Sequence, residues 1–254
     1  MQLIVRKNNR MDSLDAMRGV AILAMVIYHG LYDLCDIFGY NIPLFGLLRV
    51  FEPPFAGLFI LLSGVSSRYS HSNVKRGVRV LLLGLVVTAV TVLLMPSQSI
   101  WFGILHFLGC AILLFALVRR VTDKIPPVLA FILWSVLFAV TYFVPQTGFF
   151  GIPGLFGCYL PPVFQTTPYF FWLGFPDGNF FSADYFPLIP WFFLFLAGTV
   201  VGIPIKERRL PEKFYTVHIP FLAAAGRNTL LIYVLHQPVI YGLLWLFYTA
   251  THMK

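Results

Sequence analysis

Long apolar runs alternate with short polar segments along the whole chain. Seven such runs occupy residues 17–35, 53–65, 78–95, 100–118, 126–144, 187–203 and 229–249. Most of them approach the roughly 20 residues that an α-helix needs to cross a bilayer core of about 30 Å. The pattern therefore predicts an all-α, polytopic bundle of about seven transmembrane helices, in a single domain over residues 1–254.

Two stretches leave the number of spans open between seven and eight. The second run is short unless its helix begins near Ile42. Residues 159–173 are a candidate for an additional re-entrant or interfacial helix, although their prolines disfavour a full span.

The composition fits a membrane protein and excludes a water-soluble globular domain of ordinary design. Hydrophobic residues make up 59% of the 254 residues and charged residues only 11%, and the mean hydropathy is +0.82. Soluble domains carry about 25% charged residues. The first apolar run contains His29 and is followed by no small-residue cleavage site, so we expect a retained span rather than a signal peptide.

The net charge of +8 follows from basic residues that cluster in alternate loops. Sixteen of the 18 lysines and arginines fall on one predicted side of the membrane. They are Arg6, Lys7, Arg10, Arg18, Arg68, Lys75, Arg76, Arg79, Arg119, Arg120, Lys124, Lys206, Arg208, Arg209, Lys213 and Arg227. Cytoplasmic loops carry such an excess, so we expect a cytoplasmic N-terminus, an external C-terminus and a location in the cytoplasmic (inner) cell membrane. The placement argues against nucleic acid and leaves basic residues available to anionic lipids or a phosphorylated cosubstrate.

The stretch from Arg10 to His29 carries polar residues into the first apolar run. Ser13 or Asp12 can cap the first helical turn, and an acidic residue there suits the helix dipole. Arg18 and His29 are eleven residues apart, which places them about 20° apart in azimuth and about 16 Å apart along one helix. A cation and an imidazole on one face of a membrane helix indicate a polar lining or a function.

Further histidines and a carboxylate lie near the predicted outer half of the membrane. His106 is expected at a depth comparable to that of His29, and Asp184 directly precedes the sixth run, where it could orient an imidazole. His236 lies next to Pro238, which removes a backbone donor and frees carbonyl groups near Tyr233 and Val234. For each histidine, simple packing inside the bundle is a comparable alternative.

Other small or polar residues allow two interpretations. The Ser63-Gly64 pair could admit a ligand or allow close helix packing. Residues 33–52 are expected to form a short, structured external loop, and the aromatic segment 145–186 suits a sugar acceptor or the headgroup layer. A Cys35–Cys158 disulfide is less favoured than free thiols, and Cys110 is expected inside the membrane.

Five pieces of the sequence together resemble one known family. They are SLDAMRGVAILAMVIYH, LLSG, FGILHFLG, DYFPLIPWF and GRNTLLIYVLHQP, which occur in the family's order and span nearly the whole chain. The sequence resembles the heparan-alpha-glucosaminide N-acetyltransferase catalytic-domain family, within a wider group of transmembrane acyltransferases, in a short, bacterial-type form. The resemblance implies a helix bundle that takes an acetyl group from cytosolic acetyl-CoA and delivers it to an amino sugar or other glycan at the outer side.

The resemblance also implies roles for particular residues. His29 is the leading catalytic residue, as general base or as acyl carrier, and Arg18 is its partner in the motif. The weaker catalytic candidates are His106 and Asp184. Asn228 and His236 are further candidates, for binding acetyl-CoA. Independently of the resemblance, Arg18, Arg76, Arg79 and Arg227 are candidates for binding acetyl-CoA because they lie on the predicted inner side, where the CoA phosphates would arrive. No metal is expected, the partners are membrane lipids, acetyl-CoA and an extracytoplasmic acceptor, and a homodimer is left open.

Two other functions remain open at this point. Intramembrane histidine and arginine also mark translocation paths, so a proton-coupled small-molecule transporter is the main alternative. No internal inverted repeat is visible, and seven helices are few for such folds. A non-catalytic membrane scaffold is the third hypothesis.

Overall fold

The computed structural model describes residues 11–252, so Arg6, Lys7 and Arg10 of the predicted basic N-terminal arm, and Lys254, lie outside the described residues. The α-helices are α1 (Asp12–Tyr32), α2 (Pro43–Leu48), α3 (Glu52–Ser67), α4 (Asn73–Leu94), α5 (Ile104–Thr122), α6 (Pro127–Thr141), α7 (Val144–Thr147), α8 (Val163–Thr166), α9 (Leu188–Lys206), α10 (Glu212–Thr216), α11 (Pro220–Arg227) and α12 (Thr229–His252). An antiparallel hairpin pairs β1 (Phe149–Ile152) with β2 (Phe156–Tyr159).

Seven segments of the described chain are long and apolar enough to cross a membrane, which confirms the predicted architecture. They are Asp12–Ile37, Pro43–Ser67, Asn73–Leu94, Ile104–Thr122, Pro127–Thr147, Leu188–Lys206 and Thr229–Thr251. The second span does begin near Ile42, because Pro43 starts α2 at a position where its missing N–H costs nothing.

Three local predictions are wrong. Residues 159–173 form no continuous helix, since prolines limit them to α8 and a 3-10 turn over Phe171–Leu173. The expected external loop over residues 33–52 is mostly helical: α1 continues as a π-helix over Asp33–Ile37, and Pro43 starts the next span. Neither Ser13 nor Asp12 caps α1, whose N-cap is Met11 without a side-chain hydrogen bond.

The described chain divides into two compact units, one formed by residues 11–59 and 210–252 and the other by residues 60–209. In the first unit, α11 packs against α1 so closely that the two backbones are in contact. A Cβ on Gly19 would overlap the Leu222 carbonyl, and a Cβ on Gly226 would overlap the Asp15 carbonyl. Small residues let the two backbones approach closely, as is common between membrane helices.

The second unit uses the same packing between α3 and α9. A Cβ on Gly64 of α3 would overlap the Phe195 carbonyl of α9, and a Cβ on Gly198 of α9 would overlap the Leu61 carbonyl. Gly64 therefore serves helix packing, which was one of the two interpretations of the Ser63-Gly64 pair.

Several helix ends of the second unit meet around one buried arginine. Arg68, after the end of α3, donates to the Thr199 carbonyl at 2.8 Å and to Asp123 at 2.6 Å. Lys206 at the end of α9 donates to the Arg68 carbonyl at 2.9 Å. The ends of α3, α5 and α9 thus lie together, as the alternation of basic loops requires.

Candidate active site

Two histidines from α1 and α12 face each other in the first unit. The ring centres of His29 and His236 are 5.0 Å apart, with the rings tilted by 56°. Both side chains are partly buried within the unit. Two imidazoles at this distance inside an apolar bundle form a polar site that packing alone does not require.

The hydrogen bonds of His236 define which of its nitrogens is basic. Its Nδ1 lies 2.6 Å from the Tyr233 carbonyl, and a carbonyl only accepts, so Nδ1 carries the hydrogen. Nε2 then carries the lone pair in the neutral ring. This nitrogen is buried and meets no hydrogen-bond partner in the part of the chain that the structure describes.

A carboxylate and an amide lie directly beside the histidine pair. Asp33 follows His29 by four residues and is 0% exposed. Nε2 of Gln237, the neighbour of His236, donates to both oxygens of Asp33 at 2.8 and 3.0 Å. Asp33 lies near His29 because it follows that residue by about one helical turn. Its contact with Gln237, in contrast, joins residues that are 204 positions apart in the sequence.

Sequence reasoning missed Asp33 and Gln237 as site residues. A signal was present, because Asp33 lies one helical turn from His29 and Gln237 directly follows His236. This signal was overlooked because the residues from Asp33 onward were expected to form an external loop.

Aromatic and charged residues form one side of the site near His29. The Tyr28 ring packs edge-on against His29 at 5.7 Å and lies 5.8 Å from Phe45. Arg49 lies over the Phe45 ring at 4.9 Å and pairs with Asp36. These contacts tie the start of the second span to the end of the first.

Arg18 lies nearer the N-terminal end of α1 than His29 does, as expected from their spacing. Its Nη1 donates to Asp15 Oδ1 at 2.6 Å, and the other oxygen of Asp15 is buried with no hydrogen bond to any residue between 11 and 252. The eleven residues between the arginine and the imidazole correspond to about 16 Å along the axis. Arg18 thus pairs with a carboxylate about one turn nearer the N-terminal end of α1, well away from the histidine pair along the helix axis.

His106 and Asp184 belong to the second unit. Thr88 Oγ1 donates to the Ile100 carbonyl at 2.6 Å, so it accepts from His106 Nε2 at 3.2 Å. His106 Nδ1 is buried without a hydrogen-bond partner among the described residues, and the ring stacks on Phe102 at 5.9 Å.

Asp184 bonds a helix end rather than an imidazole nitrogen of His106. Its Oδ2 accepts from the Ile104 backbone N–H at 2.9 Å, at the start of α5. A carboxylate suits that position, because the first N–H groups of a helix lack intrahelical acceptors. Asp184 thus holds the turn from which His106 projects.

The remaining candidates lie near helix ends. Arg76 Nη2 donates to Ser63 Oγ at 3.0 Å, and Arg79 is exposed. Arg227 pairs with Asp12 at 3.3 Å, and Asn228 donates to the Ala224 carbonyl at 2.9 Å.

Residues 11–252 offer no group of three metal-ligating side chains. The three cysteines, Cys35, Cys110 and Cys158, are free thiols.

The fold and the histidine pair together define a multi-pass membrane protein with a polar site between two of its spans, the arrangement of membrane enzymes and transporters. Comparison with known families separates these classes. The catalytic-domain profile of heparan-alpha-glucosaminide N-acetyltransferase matches residues 10–238, and the chain belongs to this family of membrane acetyltransferases. The match includes His29, Asp33, His236 and Gln237. No curated protein and no solved structure matches the chain.

Proposed function

We propose that this protein transfers an acetyl group from cytosolic acetyl-CoA to an amine or hydroxyl of an amino sugar or other glycan at the outer side of the cytoplasmic membrane. The observation that carries the proposal is the His29–His236 pair, with its ring centres 5.0 Å apart, in a chain of this family. The partners are acetyl-CoA, the acceptor and the surrounding lipids.

His29 can serve in one of two ways, as a general base or as an acyl carrier. As general base, it takes the proton from the acceptor N–H or O–H as that atom attacks the thioester carbonyl; the C–S bond breaks, and His29 returns the proton to the leaving thiolate. As acyl carrier, an imidazole nitrogen of His29 attacks the carbonyl, the C–S bond breaks, and the N–H proton of the ring goes to the leaving thiolate. The acceptor then takes the acetyl group from the ring, and its own proton returns to the imidazole.

His236 supports either route without a covalent step of its own. Its Nδ1–H is held by the Tyr233 carbonyl, so the Nε2 lone pair keeps one orientation beside His29. An imidazole fixed in this way can accept a hydrogen bond from a protonated His29 and stabilise its charge. Preorganised groups of this kind lower a barrier because they need no rearrangement during the reaction.

The first unit also has acceptor atoms that fit the cosubstrate. Buried Asp15 Oδ2, Gln237 Oε1 and His236 Nε2 have no hydrogen-bond partner in the described chain, and the pantetheine arm of CoA carries amide N–H donors. Arg18 and Arg227 lie toward the predicted cytoplasmic end, where guanidinium groups suit phosphates. When bound, acetyl-CoA would supply the thioester carbonyl.

The proposal is tested with purified protein in lipid nanodiscs, radiolabelled acetyl-CoA and a panel of amino sugars and glycans. We expect labelled product from the wild type and a loss of roughly 100-fold or more in His29→Ala, the range of general-base catalysis. The matched control is His71→Ala, because His71 is exposed in the loop after α3. Full transfer by His29→Ala would remove His29 from the mechanism. Substrate uptake into proteoliposomes of the same protein, without acetyl-CoA consumption, would favour a transporter.

A further inference from the structure

Asp33 is a buried carboxylate held by a neutral amide. Both of its oxygens accept from Nε2 of Gln237, at 2.8 and 3.0 Å. Among residues 11–252 no lysine or arginine forms an ion pair with it. A buried carboxylate is costly unless its hydrogen bonds are well made, so this contact has a strong reason to persist.

The contact lies where α12 is weakest. Pro238 directly follows Gln237 and has no N–H, so the Val234 carbonyl loses its intrahelical donor. A helix interrupted in this way bends more easily and needs support from its neighbours. On the side of α1, Asp33 begins the π-helical segment Asp33–Ile37, an irregularity that is frequent at functional sites.

We infer that Asp33 and Gln237 are positioning residues, a clamp between α1 and α12 that keeps His236 against His29. Each member of the clamp is attached to a member of the histidine pair: Asp33 lies one turn after His29, and Gln237 is adjacent to His236. The catalytic consequence rests on the proposed acetyl transfer, whereas the helix contact itself does not.

Isosteric substitutions at Asp33 and Gln237 test the contact between the two side chains separately from the presence of either group. Gln237→Glu places two carboxylates face to face and removes the donor, so we expect transfer to fall roughly 100-fold, as expected when a catalytic group is displaced by about 1 Å. Combining it with Asp33→Asn restores one donor and one acceptor with their positions reversed. We expect the double variant to recover most of the lost rate, a rescue that the loss of packing alone would not show.

A cross-link measures the helix contact without any catalysis. A Cβ on Gly30 of α1 would lie 4.0 Å from Cγ2 of Ile240 on α12, so side chains at these two positions touch and cysteines placed there would face each other. The pair Gly30→Cys and Ile240→Cys is introduced into a chain whose native cysteines are serine, and its oxidation is followed by maleimide labelling. The native cysteines are Cys35, Cys110 and Cys158.

We expect the cross-link to form rapidly in the otherwise unchanged chain and several-fold more slowly with Gln237→Glu, and the double exchange to restore it. Asp36→Asn is the matched control, because Asp36 lies in the same π-helical segment but pairs with Arg49. Equal cross-linking in all variants would overturn the clamp even if acetyl transfer is found. If the cross-linking rate falls with Gln237→Glu and recovers in the double variant, but no acetyl transfer is found, the clamp is upheld and the proposed function is rejected.

Discussion

His236 and His106 hold their hydrogens on different ring nitrogens. His236 donates from Nδ1 to the Tyr233 carbonyl, and His106 donates from Nε2 to Thr88. Within residues 11–252, each ring therefore keeps one buried nitrogen whose lone pair meets no hydrogen-bond donor, but the surroundings differ. The ring of His236 faces His29, whereas Nδ1 of His106 would lie 3.1 Å from a Cβ on Gly84. We therefore expect a chemical role for His236 and a packing role for His106.

Amide substitutions test this distinction, because an amide can replace one ring nitrogen at a time. In His236→Asn the amide can keep the Nδ1 hydrogen bond but leaves nothing at the position of Nε2, so we expect transfer to fall at least about tenfold with little loss of stability. His106→Gln can still donate to Thr88 and should keep most of the rate. Initial rates and thermal unfolding of both variants check this, and equal losses would place His106 in the mechanism.

Tyr185, outside the spans, makes stability depend on alkaline pH. Its hydroxyl donates to the Phe171 carbonyl at 2.6 Å, and burial raises the pKa of Tyr185 above its usual value of 10.0. The neutral form is favoured in the folded state, so its contribution to stability is complete below about pH 10 and is lost as the pH rises above it, because only the unfolded chain ionises readily there.

Tyr185→Phe should cost about 1 kcal/mol of stability at neutral pH, the value of one hydrogen bond. It should also flatten the loss of stability above about pH 10, the usual tyrosine pKa. Unfolding curves in detergent at several pH values measure both effects. An unchanged alkaline slope would show that other groups control it.

Helices of this protein meet at glycines, and the pair α1 and α11 shows it most clearly. Gly226 faces the Asp15 carbonyl so closely that any Cβ there would overlap it. The short α11 therefore has to present a glycine at this point, and the helix pair cannot relax without moving α1, which carries both Arg18 and His29.

Gly226→Val should destabilise the protein by about 1–3 kcal/mol, the usual cost of an overpacked contact. Gly242→Ala is the control, because a Cβ on Gly242 of α12 meets no atom within 4 Å. Unfolding in mixed detergent micelles compares the two variants with the wild type. A neutral Gly226→Val would mean that α11 can shift along α1 without cost.

The whole chain is expected to cross the membrane seven times with its basic loops inside. Native Cys158 is an exposed thiol in the segment predicted to lie outside, and Lys75 is exposed in a basic loop predicted to lie inside. The two positions therefore report opposite sides of the membrane.

A membrane-impermeant maleimide should label Cys158 in intact cells. In a Cys158→Ser background, Lys75→Cys should be labelled only after the cells are opened. Labelling of Lys75→Cys from outside would reverse the orientation.

Much of this architecture could be predicted from the sequence, because the length of each apolar run is set by the bilayer. The spacing of Arg18 and His29 was predictable for the same reason, since both lie on one regular helix. The partner of His29 was not, because spacing within one helix carries no information about which other helix packs against it. Asp33 was misjudged because a charged residue at the end of an apolar run usually marks the water boundary, whereas here Gln237 lets it stay buried.

The first span and the last form the histidine pair, and this separation has a consequence for biosynthesis. Asp33 and Gln237 are 204 residues apart, and at ordinary translation speeds of about 5–20 residues per second the ribosome needs roughly 10 to 40 s to make that length. During this time α1 has entered the membrane without its final neighbour, and the Asp33 carboxylate has no amide donor. The site is therefore completed only when α12 is inserted, so a nascent chain that stalls before α12 can contain six of its seven spans and still lack the His29–His236 pair.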